Sequence, residues 1–125
     1  MENLAITEIK SFVPAKDFQQ SINFYQDIGF ELASEFEGVA YFKKGNCAFL
    51  LQDFYVAAHS DNFMMHLLVA DAESWHKHII KTDVTNRYGG SVSELVEQPW
   101  GMLDFCLVDP SGVLWRIGQN VEIEA

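Results

Sequence analysis

Basic side chains are scarce in this chain of 125 residues. Eight Lys and Arg residues stand against 18 Asp and Glu residues, which gives a formal net charge of −10 at pH 7. A surface of this sign repels phosphate groups, so the composition argues against a nucleic-acid partner and weakly favours a cationic or neutral ligand. The same acidity also keeps an ordinary cytosolic protein in solution, without any role in binding.

Long apolar runs and paired cysteines are also missing. No stretch approaches the roughly 18 apolar residues of a spanning helix, and the first residues lack the basic start and apolar run of a signal peptide. We therefore expect a soluble, cytoplasmic protein with no membrane partner. Cys47 and Cys106 form no CxxC pair and lie in strand-like runs, so we expect two reduced thiols that pack as small apolar residues.

The hydrophobic pattern predicts one α+β domain over residues 1–125 that contains an internal duplication. In the first module, residues 4–53, a strand to residue 13 and a helix N-capped by Asp17 precede strands near 30–37, 39–44 and 46–53. After a linker over 54–62, the second module, residues 63–118, has a strand over 63–70, a helix N-capped by Asp71, an irregular tail over 82–91 and strands near 92–97, 102–108 and 113–118. Two βαβββ modules of this kind, each a half-barrel of mixed sheet, would face one another and enclose a cleft.

The hairpin over residues 102–118 sets the predicted faces of the second sheet. Its turn has Pro110 second and Gly112 fourth, which is typical of a type I turn closed by a bulge and pairs Asp109 with Val113. This register predicts an apolar face of Leu103, Phe105, Leu107, Trp115 and Ile117, and a mixed, ligand-facing side of Met102, Asp104, Cys106, Leu114 and Arg116. The same bulge applied at Gly45 predicts that the ligand side of the first module consists of Val39, Tyr41, Cys47, Phe49 and Leu51.

With these elements in place, the chain resembles the glyoxalase, bleomycin resistance and extradiol dioxygenase superfamily, and within it the bleomycin-resistance-like branch. The residues that carry the resemblance are 13–18, 24–25, 28–30, 99–102 and 109–115. The resemblance implies a homodimer whose paired βαβββ modules form cup-shaped sheets. It also implies, for the enzymes of the superfamily, a divalent metal held by the first and last strand of each module.

The metal positions implied by the resemblance fall on Lys10, Phe49, Met65 and Arg116. None of these is His, Glu or Gln, and two fixed cations would repel a divalent ion, so we expect no metal and no other cofactor. By alternation from Met65, His66 points to the opposite face of its strand. We therefore expect a packed or surface histidine there.

A ligand site is predicted inside the cup. Phe12, Tyr41, Phe49 and Trp100 would supply aromatic walls for a planar or amphipathic molecule, although each could instead fill the core. Lys10 and Arg116 must find partners there, either Glu8 and Asp104 or an anionic group of the ligand. The candidate ligand-binding residues are Lys10, Phe12, Tyr41, Phe49, Met65, Leu67, Trp100, Met102, Asp104 and Arg116.

The function that these expectations favour is metal-free binding of a small organic molecule by a homodimer, as in the sequestration of a drug or antibiotic. The alternative is a glyoxalase-like lyase or isomerase whose metal is bound atypically through His66, Asp104 or Glu94. A third hypothesis is a scaffold that binds nothing because its own side chains fill the cup.

Overall fold

The first half of the chain forms a four-stranded sheet with one helix packed on it. The structure, a computed structural model, describes residues 2–122. The elements of this half are β1 (Phe12–Pro14), α1 (Phe18–Asp27), β2 (Glu31–Phe36), β3 (Val39–Lys44) and β4 (Cys47–Gln52). The strand order is β1-β4-β3-β2, with β1 parallel to β4 and the other neighbours antiparallel.

The second half repeats this order with additions. Its elements are α2 (Ala57–Ser60), β5 (Met64–Leu68), α3 (Ala72–Thr82), α4 (Val84–Tyr88), β6 (Ser91–Val92), β7 (Val96–Gln98), β8 (Met102–Val108) and β9 (Leu114–Asn120). The strand order is β5-β9-β8-β6, and β7 also pairs with β8. The α+β class and the two-sheet architecture predicted from the sequence are confirmed. No helix among residues 2–122 has both the length and the apolar character needed to span a membrane.

Both long helices begin where the sequence predicts. Asp17 accepts a hydrogen bond from the Gln20 backbone N–H at 3.1 Å, and Asp71 accepts one from the Ser74 backbone N–H at 3.0 Å. These side chains satisfy donors that the first turn of a helix leaves unpaired. Gly29 follows α1 with φ +113°, a conformation that a residue with a side chain rarely adopts.

Four predicted elements differ from the structure. β1 is confined to three residues, and residues 2–11 form neither helix nor strand. The alternating apolar side chains of this segment have no partner to pack against among the described residues, since Leu4, for example, is 81% exposed. The linker over 54–62 contains the short helix α2, and the tail over 82–91 contains α4. The strand predicted near 92–97 is divided into β6 and β7, where the Ser93 hydroxyl accepts a hydrogen bond from the Cys106 backbone N–H at 2.8 Å.

The two sheets share one aromatic core. Tyr25 of α1 lies at its centre, with its ring centroid 4.9 Å from Phe49 of β4 and 5.7 Å from Trp115 of β9. The Tyr25 hydroxyl is also fixed by hydrogen bonds: it donates to Asp109 Oδ2 at 2.5 Å and accepts from Trp115 Nε1 at 2.8 Å. We call the side of each sheet that faces this core the inner face, and the opposite side the outer face.

The predicted register of the second hairpin is confirmed. The Asp109 backbone N–H donates to Val113 O at 2.9 Å, and Gly112 has φ +91°. Phe105 therefore pairs with Ile117 and Leu107 with Trp115 on the inner face. Arg116 and Cys106 pair on the outer face, as the alternation predicts.

The predicted register of the first hairpin is wrong. Lys44 pairs with Cys47 across the two-residue turn of Gly45 and Asn46, so no bulge shifts the strand. Phe49 is consequently opposite Phe42 on the inner face and only 2% exposed, and Leu51 is fully buried beside it. A slip of one residue in a strand reverses the face of every side chain, which is why the predicted ligand side of β4 became the core side.

The predicted face of β5 is also wrong. Met65 and Leu67 pack against the core, because β5 runs parallel to β9 with Met65 beside Trp115 and Leu67 beside Ile117. His66 therefore points to the outer face, beside Arg116.

Candidate functional site

The outer face of the first sheet contains a hollow of about 500 Å³. Its lining residues come from β1, β2, β3, β4 and the residues next to them: Lys10, Phe12, Ser34, Phe36, Glu37, Val39, Tyr41 and Leu50. Phe36 is 75% exposed, so much of this wall is apolar surface in contact with solvent. Three of the predicted ligand-binding residues, Lys10, Phe12 and Tyr41, are brought together here.

Lys10 is neutralised within the chain. Glu8 contacts the Lys10 ammonium at 2.5 Å and accepts a hydrogen bond from the Tyr41 hydroxyl at 2.7 Å. The hydrogen bond from Lys10, followed by that from Tyr41, lowers the pKa of Glu8, and Glu8 in turn raises the pKa of Lys10. Glu8 is the internal partner predicted for Lys10, so the hollow carries no uncompensated cation from this pair.

The outer face of the second sheet carries the other cluster. Arg116 Nη1 lies 3.5 Å from Asp104 Oδ2, and Gln98 donates its side-chain N–H to Asp104 Oδ1 at 3.0 Å. Asp104, the predicted internal partner of Arg116, is only 3% exposed. Among the described residues, Asp104 Oδ2 and Arg116 Nε are the buried side-chain polar atoms without a hydrogen-bond partner. The pair is therefore electrostatically matched but incompletely hydrogen-bonded, which is costly unless something else supplies the missing partners.

One apolar side chain, that of Met102, lies next to this ion pair on the same face of the sheet. Met102 lies over Gly118, where an added Cβ atom would come within 2.7 Å of the Met102 sulfur, so the methionine would have to shift to make room for a larger residue. Trp100 projects from the turn between β7 and β8 and is 58% exposed. Met102, Asp104 and Arg116 thus form a second group of predicted site residues, on a different sheet from the first group, and Trp100 lies in the turn that leads into β8.

The three remaining predicted residues lie elsewhere. Phe49, Met65 and Leu67 are on the inner faces and line a separate cavity of about 280 Å³ between β4 and β5. The prediction that they face the cup is wrong for the reasons of register given above. Their place on the outer faces is taken by Leu50, next to Phe12, and by His66, next to Arg116.

Sequence reasoning missed these outer-face residues, although two signals were present. The Gly45-Asn46 pair is typical of a two-residue hairpin turn, which would have placed Leu50 outward. His66 is the only polar side chain in β5, and a half-buried strand normally directs such a residue away from the core.

The side chains on the first and last strands of the two halves do not fit a divalent metal. On the outer faces, the first and last strands of the two halves carry Phe12, Leu50, His66 and Arg116, which together offer one imidazole and no carboxylate. No group of three or more His, Cys, Asp or Glu side chains with metal-binding geometry occurs within residues 2–122. Divalent ions need several such donors, so this set could not hold one.

Comparisons with known proteins agree with this fold. The chain is similar to a bleomycin-binding protein in complex with bleomycin (22% identity, 92% of this chain and 99% of the other, TM-score 0.77) and to an antibiotic-binding protein from a Streptomyces species (20%, 94% and 99%, 0.71). It is also similar to a lactoylglutathione lyase from Agrobacterium tumefaciens (19%, 95% and 96%, 0.67). A comparison with curated protein sequences gives no match.

These TM-scores establish a common fold, and that fold is shared by binding proteins and by an enzyme. The sequence pattern of one family, described as the glyoxalase/bleomycin resistance protein/dioxygenase superfamily, matches residues 6–117. The chain belongs to the glyoxalase/bleomycin resistance protein/dioxygenase superfamily.

Proposed function

We propose that this protein binds a small organic molecule without a metal ion and sequesters it, as a drug- or antibiotic-binding protein does. The observation that carries the proposal is exposed apolar surface at both sheets, with Phe36 in the hollow of the first and Trp100 in the turn that leads into β8 of the second, while the ion pairs of both outer faces belong to the protein itself. Exposed apolar surface of this kind usually marks a binding site. The likeness to bleomycin- and antibiotic-binding proteins supports the same conclusion.

The charges indicate the class of ligand. Lys10 and Arg116 are each matched by a carboxylate, so neither outer face presents a free cation from these pairs. The net charge of −10 then sets the sign of the long-range field, which attracts cations. A planar or amphipathic ligand that is cationic or neutral satisfies both conditions.

Two copies would complete the binding cup. The hollow in the first sheet is lined by residues between 10 and 50 alone, and Met102, with Trp100 in the turn before it, belongs to the other half, so one chain presents two open half-sites. In a symmetric homodimer, the first sheet of one chain can cover the second sheet of its partner. Ile6 and Ile9, in the segment before β1, add exposed apolar surface that a second copy would cover.

Two further parts of the proposal rest on side-chain chemistry. Among Phe12, Leu50, His66 and Arg116, only His66 can ligate a metal, which supports binding without one. Cys47 and Cys106 are both free thiols, which supports a cytoplasmic location, where thiols stay reduced.

The proposal is tested by tryptophan fluorescence with metal-free bleomycin, a planar cationic antibiotic and a neutral aromatic antibiotic as ligands. We expect at least one of them to change the fluorescence saturably in the presence of EDTA. Trp100→Phe should weaken that binding, whereas the matched change Trp75→Phe, on the opposite side of the second sheet, should not. A flat response to all three ligands, or lactoylglutathione lyase activity with a stoichiometric metal, would overturn the proposal.

A further inference from the structure

Another cavity, of about 330 Å³, lies where the two halves of the chain meet on the side of the helices. It is lined by the loop after α1, the end of β3 and one side of α3: Ile28, Gly29, Lys44, Ser74, Trp75 and His78. We call it the seam cleft. None of the residues predicted to bind ligand in the cup lines it. Its size is at the lower end of the range of roughly 300–1,000 Å³ that is usual for small-molecule sites.

The cation of the seam cleft is not neutralised by a carboxylate. Lys44 Nζ lies 5.9 Å from the centroid of the Trp75 ring and donates one long hydrogen bond, of 3.5 Å, to Gly29 O. Within the described part of the chain, the ion pairs closer than 4.0 Å do not include Lys44. An ammonium group has three N–H donors, so at least two of those on Lys44 remain for a ligand.

The walls of the cleft are aromatic and fixed in place. Trp75 and His78 meet edge to face with their ring centroids 6.0 Å apart. His78 Nε2 lies 2.9 Å from Ile28 O, and because a carbonyl oxygen can only accept, this nitrogen carries the proton and donates it. The hydrogen bond joins α3 to the loop after α1, so it holds the His78 side of the cleft against the opposite wall.

Gly29 keeps the cleft open. A Cβ atom at this position would lie 3.6 Å from Lys44 Nζ and 3.9 Å from His78 Nε2, in the space between the cation and the imidazole. The backbone there has φ +113°, which side chains disfavour. The space beside the ammonium is therefore free of side-chain atoms from this position.

We propose that the seam cleft binds a small aromatic carboxylate, with its ring against Trp75 and its carboxylate on the Lys44 ammonium. Apolar walls with one cation at the edge suit a molecule that is planar at one end and anionic at the other. The net charge of −10 opposes an anion only at long range, where salt at physiological strength screens charges more than about 8 Å apart. The ion pair with Lys44 is a contact interaction and is screened much less. The seam cleft shares no lining residue with the hollow of the cup, for which we propose cationic or neutral ligands.

The test uses benzoate as the probe and benzamide as its neutral analogue of nearly the same shape. The protein has three tryptophans, at 75, 100 and 115, so the indole N–H signals in an NMR titration report separately on the cleft, the cup and the core. We expect benzoate to shift the Trp75 signal saturably and leave the Trp100 signal in place. Benzamide should bind about tenfold more weakly, the usual effect of losing one charged contact.

Lys44→Met and Lys43→Met are the matched variants, because both remove one positive charge from adjacent residues of β3. Lys43 pairs across the sheet with Glu31 and Ala48 and does not line the cleft. We expect Lys44→Met to weaken benzoate binding about tenfold or more and Lys43→Met to leave it unchanged. Equal losses in the two variants, no saturable shift of Trp75, or a shift of Trp100 in its place would overturn the proposal. Because the cup is tested with cationic and neutral ligands at Trp100, either proposal can fail without the other.

Discussion

Replacing Tyr25 by phenylalanine tests the buried link between the two halves of the molecule. The hydroxyl of Tyr25 is fully buried and serves two partners that come from the second half, Asp109 and Trp115. Phenylalanine keeps the ring in the aromatic core but removes the oxygen. One carboxylate oxygen and one indole N–H would then remain buried without a partner.

The expected cost follows from the two contacts. A hydrogen bond to a charged group contributes about 1.5–3 kcal/mol to stability, and a buried donor left without a partner costs about 1–3 kcal/mol. We therefore expect Tyr25→Phe to lower the free energy of unfolding by about 3–5 kcal/mol. For a domain of this size, that corresponds to a decrease in Tm of roughly 10–20 °C. The Asp109 backbone contacts stay in place, so the hairpin itself should still form.

The assay is urea unfolding followed by circular dichroism, with Tyr88→Phe as the control. The Tyr88 hydroxyl donates to Asp27 in a similar way, at 2.5 Å, but at the surface, where water replaces the lost contact. We expect the control to unfold at nearly the same urea concentration as the parent protein. If Tyr25→Phe and Tyr88→Phe behaved alike, the buried hydrogen bonds would not stabilise the junction and the reasoning would be refuted.

Three further predictions concern the buried charges and the outer face of the second sheet. Burial raises the pKa of Asp109 above its usual value of 3.8, and the hydrogen bond from Tyr25 opposes this shift. The contribution of Asp109 to the free energy of unfolding is therefore fully present below pH 3.8 and is lost as the pH rises through the raised pKa. The cost of Tyr25→Phe should therefore grow with pH over that window in unfolding measurements, and a constant cost would contradict this. Arg116→Met leaves the Asp104 carboxylate without its cation and should lower the free energy of unfolding by about 2 kcal/mol. Adding Asp104→Asn to the same chain should largely remove that loss. Additive losses in the double-mutant cycle would disprove the coupling. Gly118→Ala would place a methyl group 3.3 Å from Asp104 Cβ, and this crowding should lower the free energy of unfolding by about 1–2 kcal/mol. An unchanged Tm would contradict this, because it would mean that the neighbouring side chains move aside.

The sequence predicts those elements whose signals are local and chemically specific. Asp17 and Asp71 cap the helices because a carboxylate accepts hydrogen bonds from the first turn, whatever the rest of the fold does. The turn from Asp109 to Val113 is likewise fixed by proline and glycine at set positions. These local signals determine the faces of β8 and β9, so the prediction that Asp104 and Arg116 share one face of the hairpin is confirmed.

The predictions fail where the face of a strand depends on a neighbouring strand. In β5, all residues except His66 are apolar, so only the pairing with β9 decides that Met65 and Leu67 face inward. In β4, the prediction applies the bulge of the second hairpin at Gly45, where the turn has only two residues, so the predicted face of Phe49 is wrong. Residues 4–11 alternate like a strand, but pairing within this chain begins only near residue 12.

The most direct test of the central claim is a calorimetric titration of bleomycin and the other two antibiotics into protein that has been dialysed against EDTA. A cup formed by the outer faces of two copies predicts saturable binding of at least one of these ligands, with one ligand bound per chain and no dependence on added metal. The absence of heat with all three ligands, or binding that occurs only after a divalent metal is restored, would contradict the account.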